Sequence, residues 1–166
     1  GKWISDDRKL EKEEDYYKEK RNTILRKDFE LKETPKEAFI YIVGLGYYNL
    51  YVNGKKVGNA ELNTDWTNYS KGIFYDTYNL QEYLVQGENI VFVELGNGWY
   101  NPAPLTLFGK YNLRDVLSIG EPKLLADLKI KSENDFLNIS TDESWEVAEG
   151  QYLFNNIYLG EIIDFR

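Results

Sequence analysis

The chain contains no cysteine, no histidine and no methionine among its 166 residues. Without cysteine there can be neither a disulfide framework nor a thiolate zinc site. Without histidine as well, nucleophilic systems built on Ser-His or Cys-His pairs are excluded, together with the usual zinc and iron sites. A bound metal would therefore be a hard cation held by oxygen atoms, and calcium best matches such ligands.

Positive charge and long apolar runs are also scarce. Acidic residues outnumber basic residues by 28 to 20, which gives a formal net charge of −8. Because phosphate neutralisation needs a dense cationic face, we expect no nucleic-acid partner. No apolar run approaches the ~20 residues needed to cross a bilayer, and the N-terminus lacks the basic-then-apolar layout of a signal peptide. We therefore expect neither a membrane span nor a signal in this chain.

Aromatic residues, by contrast, are abundant, with 14 Tyr, 8 Phe and 4 Trp. Their rigid, amphipathic rings suit the core of a β-sandwich and also suit stacking on sugar rings. Composition alone does not separate these two uses.

Short apolar segments recur along the chain between Gly, Asn and Pro turns. Asn53-Gly54 lies between two of them and predicts a tight hairpin, because both residues accept the positive φ of a primed turn. Strands are predicted near 24–31, 39–45, 48–53, 56–59, 74–79, 89–96, 123–131 and 144–147, with a helical turn at 80–85 and a terminal strand or docked tail at 152–163. The long connection 97–116 is of a type that often has a function. This spacing predicts an all-β fold, an antiparallel sandwich of jelly-roll type.

The length fits one domain that buries about two-thirds of its unfolded surface. Residues 1–23 are predicted to form a charged N-terminal lead-in. Its segment 6–20 is almost entirely charged, with spacing that supports a short solvated helix. Trp3-Ile4 is expected to dock onto the body or onto a neighbouring module. Residues 24–166 are predicted to form a single β-sandwich domain.

Six short motifs follow one another in order after residue 43. They are Gly44–Tyr48 (GLGYY), Tyr51–Gly54 (YVNG), Trp66–Lys71 (WTNYSK), Tyr75–Tyr78 (YDTY), Gly87–Asn89 (GEN) and Leu95–Tyr100 (LGNGWY). Their order and spacing resemble the N-terminal β-sandwich domain of bacterial α-L-rhamnosidases, which has a jelly-roll, galactose-binding-like fold. The resemblance covers nearly everything after residue 25.

The resemblance implies a non-catalytic accessory domain excised from a larger bacterial enzyme, in which a helical barrel carries the catalytic carboxylates. Its partners would be the remaining domains of that parent, a periplasmic or secreted α-L-rhamnosidase. Two alternatives stay open. One is an autonomous lectin-like module that binds rhamnose-containing glycans. The other is a self-contained glycosidase, which would use a pair drawn from Asp76, Glu82, Glu94, Asp142, Glu143 and Glu161.

These hypotheses give two sets of candidate site residues, one for sugar binding and one for calcium binding. The candidate sugar-binding residues are Asn49, Trp66, Asn97, Trp99 and Tyr100, with the indole rings as stacking platforms; alternatively, the two Trp side chains plug the ends of the sandwich. Related carbohydrate-binding modules hold calcium, and the resemblance places its ligands at Asn49, Gly72, Asn97 and Pro102. Tyr48 stands where those modules have a carboxylate. Because calcium affinity depends on ligand charge, we expect calcium binding to be weak or absent.

Overall fold

The computed structural model describes residues 1–6, 8, 12–107, 109 and 111–166, and strands dominate them. The strands are β1 (Thr23–Leu31), β2 (Glu37–Leu45), β3 (Tyr47–Val52), β4 (Lys55–Lys56), β5 (Asp76–Asn79), β6 (Gly87–Gly96), β7 (Thr106–Leu107), β8 (Tyr111–Asn112), β9 (Lys123–Lys131), β10 (Phe136–Ser140), β11 (Glu146–Glu149), β12 (Tyr152–Asn156) and β13 (Gly160–Ile163). A 3₁₀ helix (Glu13–Tyr17) precedes β1, and a one-turn helix α1 (Leu113–Val116) follows β8.

Two antiparallel sheets form the body. One has five strands in the order β11-β1-β6-β3-β4, and the other has four in the order β10-β9-β2-β5. The predicted all-β sandwich is thereby confirmed. Two further two-stranded pairs, β12-β13 and β7-β8, stand apart from the main sheets. Within the described part of the chain, no helix has the length and apolar content of a transmembrane span.

The core lies between the facing sheets and follows from strand alternation. In β2, the side chains of Ala38, Ile40 and Ile42 are buried, whereas the intervening Phe39 and Tyr41 point outward and are 37% exposed. A period of two residues puts one face of the strand against the core and the other toward solvent. Each fully buried aliphatic side chain stabilises the fold by about 1.5–3 kcal/mol relative to exposure.

The Asn53-Gly54 turn forms as predicted. Asn53 has a φ of 50° and Gly54 a φ of 77°, the positive values that a primed hairpin turn requires. The turn joins β3 to β4, and β4 ends at Lys56, so the strand predicted at 56–59 is shorter and begins one residue earlier.

The C-terminal part differs from the sequence prediction in two places. The segment 136–140 forms β10, an edge strand that was not predicted, because exposed and half-buried residues give it no clear apolar alternation. The segment 152–163 is neither a single strand nor a tail but the β12–β13 hairpin. The connection 97–116 contains β7, β8 and α1, and its residues 108 and 110 lie outside the described residues.

The N-terminal segment is attached to the sandwich at several points. The amide of Lys2 donates to the carbonyl of Thr141 at 2.7 Å, and Ile4 exchanges two backbone hydrogen bonds of 2.9 Å with Leu124. The Tyr17 hydroxyl donates to the carbonyl of Pro104 at 2.7 Å. The segment is therefore more than a solvated extension. The division of the chain at residues 23 and 24 stays a prediction.

Candidate functional site

A cleft of about 430 Å³ opens on the outer face of the five-stranded sheet. Strands β3 and β6 form its floor, and the β12–β13 hairpin and the loop at Glu61-Leu62 form its walls. The floor residues Tyr47 and Asn49 belong to the set of β3 side chains that point away from the core, as expected from the alternation of strand residues.

Glu94 and Asn49 lie side by side in the floor of this cleft. They are directly paired in register between β6 and β3, and Glu94 is only 6% exposed. The side chains of Tyr51 and Asn49 lie beside the Glu94 carboxylate. Even so, Glu94 Oε2 and Asn49 Oδ1 are buried without a hydrogen-bond partner among the described residues. The floor therefore contains two side chains whose buried acceptor oxygens are unused.

The electrostatics of the cleft are acidic. Burial raises the pKa of Glu94, and the neighbouring side chains of Tyr51 and Asn49 only partly oppose this change. Burial, and next the charge of Glu94, raise the pKa of Tyr51 to about 12, so its hydroxyl remains a hydrogen-bond donor at neutral pH. Glu61 and Glu161 also line the cleft, and no Lys or Arg is among its described lining residues.

Hydrogen bonds hold the β12–β13 hairpin against the sandwich. The Asn97 amide donates to Asn155 Oδ1 at 2.7 Å, and Asn97 Nδ2 donates to the Asn155 carbonyl at 2.9 Å. On the other side of the hairpin, the Tyr152 amide donates to Asn22 Oδ1 at 3.0 Å. The predicted sugar-binding residue Asn97 is thus engaged in fixing a wall of the cleft.

Two glycines of the GLG and LGNG motifs allow the backbone to cross at the end of the cleft. Gly46 has a φ of +105°, and a Cβ there would lie 2.1 Å from the carbonyl oxygen of Gly96. Gly98 has a φ of +49°, and a Cβ there would lie 2.9 Å from the carbonyl carbon of Gly46. The motifs that carry the resemblance are therefore required by packing at this edge.

An aromatic cluster, defined here as Trp66, Trp99 and Tyr158, adjoins the cleft. The Trp66 and Trp99 ring centroids are 6.2 Å apart, and those of Trp99 and Tyr158 are 5.4 Å apart. Trp66 is 49% exposed. Burial raises the pKa of Tyr47, which lines the cleft, and the neighbouring Trp99 side chain partly opposes this change. The two predicted indoles are thus brought together, and Trp66 remains about half exposed.

Tyr100, the remaining sugar candidate, packs edge-on against Tyr69 with ring centroids 5.5 Å apart. The structure therefore gathers Asn49, Trp66 and Trp99 around one region and assigns structural contacts to Asn97 and Tyr100. Sequence reasoning did not include Glu94 or Tyr158 in the sugar site. Glu94 carried a signal, a carboxylate after the apolar run Ile90–Val93, whereas Tyr158 reaches the cluster through the fold of the hairpin.

The oxygens predicted to hold calcium are mostly engaged elsewhere. The Gly72 carbonyl accepts from the Thr67 hydroxyl at 2.6 Å, and Asn97 Oδ1 accepts from Asn101 Nδ2 at 3.1 Å. The Pro102 carbonyl accepts from Arg114 Nη1 at 2.8 Å, which places a positive charge beside it. In the described part of the chain, no group of three or more acidic residues could hold a metal ion. Because calcium takes six to eight oxygens, often charged, this set does not fit it.

Two of the six carboxylates considered for catalysis, Glu94 and Glu161, line the cleft. The other four are not among the lining residues. Of these, Asp76 accepts a hydrogen bond from the Tyr48 hydroxyl at 2.6 Å, and Glu143 forms an ion pair with Lys2. The cleft therefore holds carboxylates, but the aromatic cluster and the unpartnered amide oxygen are features of binding as much as of chemistry.

Comparison with known proteins gives a consistent result. The family model for the α-L-rhamnosidase N-terminal domain matches residues 33–166. An α-L-rhamnosidase of Formosa agariphila is 37% identical over 145 residues, which are 85% of this chain and 15% of that protein. The match thus spans about one-seventh of the relative's length.

Solved structures agree. The α-L-rhamnosidase of Aspergillus terreus superposes with a TM-score of 0.80 and 28% identity, covering 96% of this chain and 18% of that one. The Streptomyces avermitilis α-L-rhamnosidase complexed with L-rhamnose superposes with a TM-score of 0.76 and 27% identity, covering 88% of this chain and 14% of that one. Together with the family match, these similarities show that the chain belongs to the family of α-L-rhamnosidase N-terminal domains.

Proposed function

We propose that this chain is a non-catalytic accessory domain of a bacterial α-L-rhamnosidase and that its cleft binds one sugar unit of a rhamnose-containing glycan. The observation that carries the proposal is a pair of buried acceptors without a partner among the described residues, Glu94 Oε2 and Asn49 Oδ1, on two side chains that line the cleft. A buried polar atom without a partner costs about 1–3 kcal/mol. A sugar hydroxyl would recover that cost once the side chain turned its buried oxygen toward the cleft.

The size and lining of the cleft support a small ligand. Its volume of about 430 Å³ lies within the range of about 300–1,000 Å³ typical of ligand pockets. Tyr47, Tyr152 and Leu62 line it beside the polar floor. Such a mixture of apolar faces and a few polar atoms matches a pyranose, which carries hydroxyls at its edge and C–H groups on its faces.

The aromatic cluster offers a second contact surface at the side of the cleft. The half-exposed Trp66 ring lies beside Trp99, and Trp99 in turn neighbours the cleft residue Tyr47. Aromatic rings bury large apolar areas, so a neighbouring sugar unit would gain contact there. The cleft and the cluster together suit an oligosaccharide better than a single free sugar.

The opposite sheet carries an apolar surface that suits the second part of the role, packing against other domains of the parent. Phe74 and Tyr75 are each 63% exposed, and the Tyr75 ring stands edge-on to Tyr41 on the outer face of β2, with centroids 6.1 Å apart. The relatives are several times longer than the matched region, so their remaining domains are the natural partners for this surface.

Isothermal titration of L-rhamnose into the purified chain tests the sugar proposal, once with calcium and once with a chelator. We expect heat in both conditions and an affinity loss of ~tenfold or more in Asn49→Ala, because ~1.4 kcal/mol of hydrogen bonding corresponds to a factor of ten. Asn138→Ala, on exposed β10 outside the cleft, is the matched control and is expected to keep the wild-type affinity.

The alternatives give different results in the same series. No heat from a folded sample at high sugar concentration would contradict the sugar proposal and leave the packing role. Tight binding by the isolated chain would favour the autonomous lectin-like module. Turnover of a nitrophenyl α-L-rhamnoside, abolished in Glu94→Gln, would favour the self-contained glycosidase.

A further inference from the structure

The charge of the cleft identifies the class of sugar it accepts, an inference that rests on the proposed function. We infer that the cleft selects neutral sugars against uronic acids and that Glu94 is the residue that sets this selection. Glu94 lines the cleft and is 6% exposed, and its Oε2 is buried without a hydrogen-bond partner among the described residues. A ligand must therefore bring a hydrogen-bond donor to this atom.

Hydroxyl groups supply such donors, whereas a sugar carboxylate supplies only acceptors and a negative charge. The register of β3 and β6 places Asn49 beside Glu94, so two neighbouring hydroxyls of one ring would face these two side chains. A hydrogen bond to an ionised carboxylate is roughly twice as strong as a neutral one. Neutral vicinal diols gain from both groups.

A uronic acid meets repulsion in the same place. Three carboxylates line the cleft, and the described lining residues include no cation that could receive the acid. Glu61 is screened, because its side chain is 78% exposed and pairs with Lys56 at 3.2 Å. Glu94 lies in the floor away from solvent, where screening is weakest. The discrimination therefore depends mainly on Glu94.

Titration with L-rhamnose, D-galactose, D-glucose and the uronates of the last two sugars tests this inference. We expect the tightest neutral sugar to bind at least ~tenfold more tightly than either uronate. In Glu94→Gln, which keeps the shape and removes the charge, this ratio should fall at least ~fivefold. Glu88→Gln, the same change on the same strand but outside the lining of the cleft, should leave the ratio as it is.

The results separate the two claims. If no sugar binds to the folded wild-type chain, the proposed function fails and this inference fails with it. If a neutral sugar binds but a uronate binds within ~threefold of it, only the selectivity is wrong. If the selectivity is present but Glu94→Gln leaves it unchanged, the assignment to Glu94 is wrong. Thermal unfolding of each variant verifies that the chains compared are folded.

A different observation supports a second inference, at the loop of residues 97–104. We propose that the guanidinium of Arg114 is the internal cation that orders this loop in place of a metal ion. Arg114 Nη1 donates to Asn101 Oδ1 at 2.9 Å and to the Pro102 carbonyl at 2.8 Å, and Nη2 donates to the Tyr16 hydroxyl at 2.6 Å. The guanidinium also stands 4.0 Å from the centroid of the Tyr16 ring.

These contacts perform the task of a metal at an oxygen site. Asn101 is 3% exposed, and its side-chain oxygen and the next carbonyl in the chain both point to one positive group. The planar fork of a guanidinium can satisfy several acceptors at once, and the tyrosine face adds a cation–π contact. A divalent cation at the Pro102 carbonyl would be repelled by Arg114. The arrangement therefore excludes calcium from this oxygen.

Hydrogen exchange of the loop amides, measured with calcium and with a chelator, tests the assignment. In the wild-type chain we expect the same exchange and the same midpoint of thermal unfolding in both conditions. Arg114→Met should speed exchange of the Asn101 amide, which donates to the Asn97 carbonyl at 2.9 Å, by at least ~tenfold. Arg26→Met, which removes an exposed arginine paired with Asp28, should not affect this loop.

Two results would overturn this second inference. One is calcium slowing exchange of the loop in the wild-type chain or raising its unfolding midpoint. The other is unchanged loop exchange in Arg114→Met. If Arg114→Met fails to fold, Arg114→Lys replaces it in the experiment. Lysine keeps the charge but loses the planar fork, so we expect faster exchange of the loop than in the wild type. Adding Tyr16→Phe removes a further partner and should speed exchange again.

Discussion

Two polar pairs lie along strand β6, Asn89 with Asn53 and Glu94 with Asn49, and they differ in whether their hydrogen-bonding atoms have partners. Near its start, the Asn89 amide donates to the carbonyls of Val85 and Gly87, and its Oδ1 accepts from the Val85 amide and from Asn53 Nδ2. Near its end, Glu94 and Asn49 each keep an acceptor without a partner among the described residues. A fully satisfied pair stabilises the fold, whereas an unsatisfied one is typical of a functional site.

Breaking the satisfied pair should have the largest effect on stability. Asn89→Ala removes four hydrogen bonds of a side chain that is 1% exposed, so we expect a loss of about 2–4 kcal/mol in the free energy of unfolding. Urea denaturation measures this loss. The affinity for sugar should not change in molecules that remain folded. A loss below ~1 kcal/mol would show that water replaces the amide easily, which contradicts its structural role.

Removing charge from the unsatisfied pair should have the opposite sign. Glu94→Gln keeps the volume but eliminates a buried carboxylate with a free oxygen, so we expect the free energy of unfolding at neutral pH to rise by about 1 kcal/mol. The same denaturation experiment measures it, with Glu88→Gln as the control. Lower stability in Glu94→Gln would mean that the ionised carboxylate holds the floor together.

The pH dependence of that difference sharpens the comparison. Burial raises the pKa of Glu94 above its ordinary value, so the folded chain holds this proton at a pH where the unfolded chain has lost it. The stability from this group is fully present below the unfolded pKa and is lost as pH rises through the raised folded pKa. The advantage of Glu94→Gln should therefore shrink as pH falls toward about 4.

Carboxylates whose pKa is lowered in the folded chain are present in both the wild type and Glu94→Gln. Their contributions therefore cancel when the two unfolding free energies are subtracted. Hydrogen bonds from Arg166 and Arg21 hold the pKa of Asp164 well below its ordinary value, and its contribution is lost only as pH falls. Unfolding curves of the wild type and Glu94→Gln at several pH values provide the comparison. A difference that stays constant with pH would show that Glu94 titrates normally.

The smallest effect on stability is expected at the aromatic cluster. Trp66 is 49% exposed, so Trp66→Ala should change the free energy of unfolding by about 0.5 kcal/mol or less. Its effect on binding of a rhamnose-containing oligosaccharide should be larger than its effect on free L-rhamnose. Equal effects on both ligands would place Trp66 within the cleft site itself.

How much the sequence could predict depends on the range of the contacts. Asn53-Gly54 acts over four residues, and its turn was predicted correctly. The outward-facing pair of Glu94 and Asn49 required knowledge of strand register, which links positions in different strands. Register was not predicted, so Glu94 appeared only as one carboxylate among six.

The walls of the cleft were harder to predict from the sequence than its floor. The hairpin β12–β13 is fixed by Asn155, which bonds to Asn97 across 58 positions. Nothing local in residues 152–163 indicates that contact, and the apolar character of the segment suited a strand as well as a tail. The aromatic cluster has the same origin, because Tyr158 joins it through the hairpin turn. Long-range amide pairs therefore decide the site, although local pattern decided most strands.

Residues 20–22 connect the N-terminal segment to a wall of the cleft. The amides of Lys20 and Asn22 donate to the carbonyls of Leu153 and Tyr152, and Arg21 pairs with Asp164 at 2.7 Å. The segment ahead of β1 is thus fastened along the hairpin that closes the cleft. A substitution at Lys20 or Arg21, neither of which lines the cleft, would therefore displace one of its walls, so a change in sugar affinity can originate outside the lining.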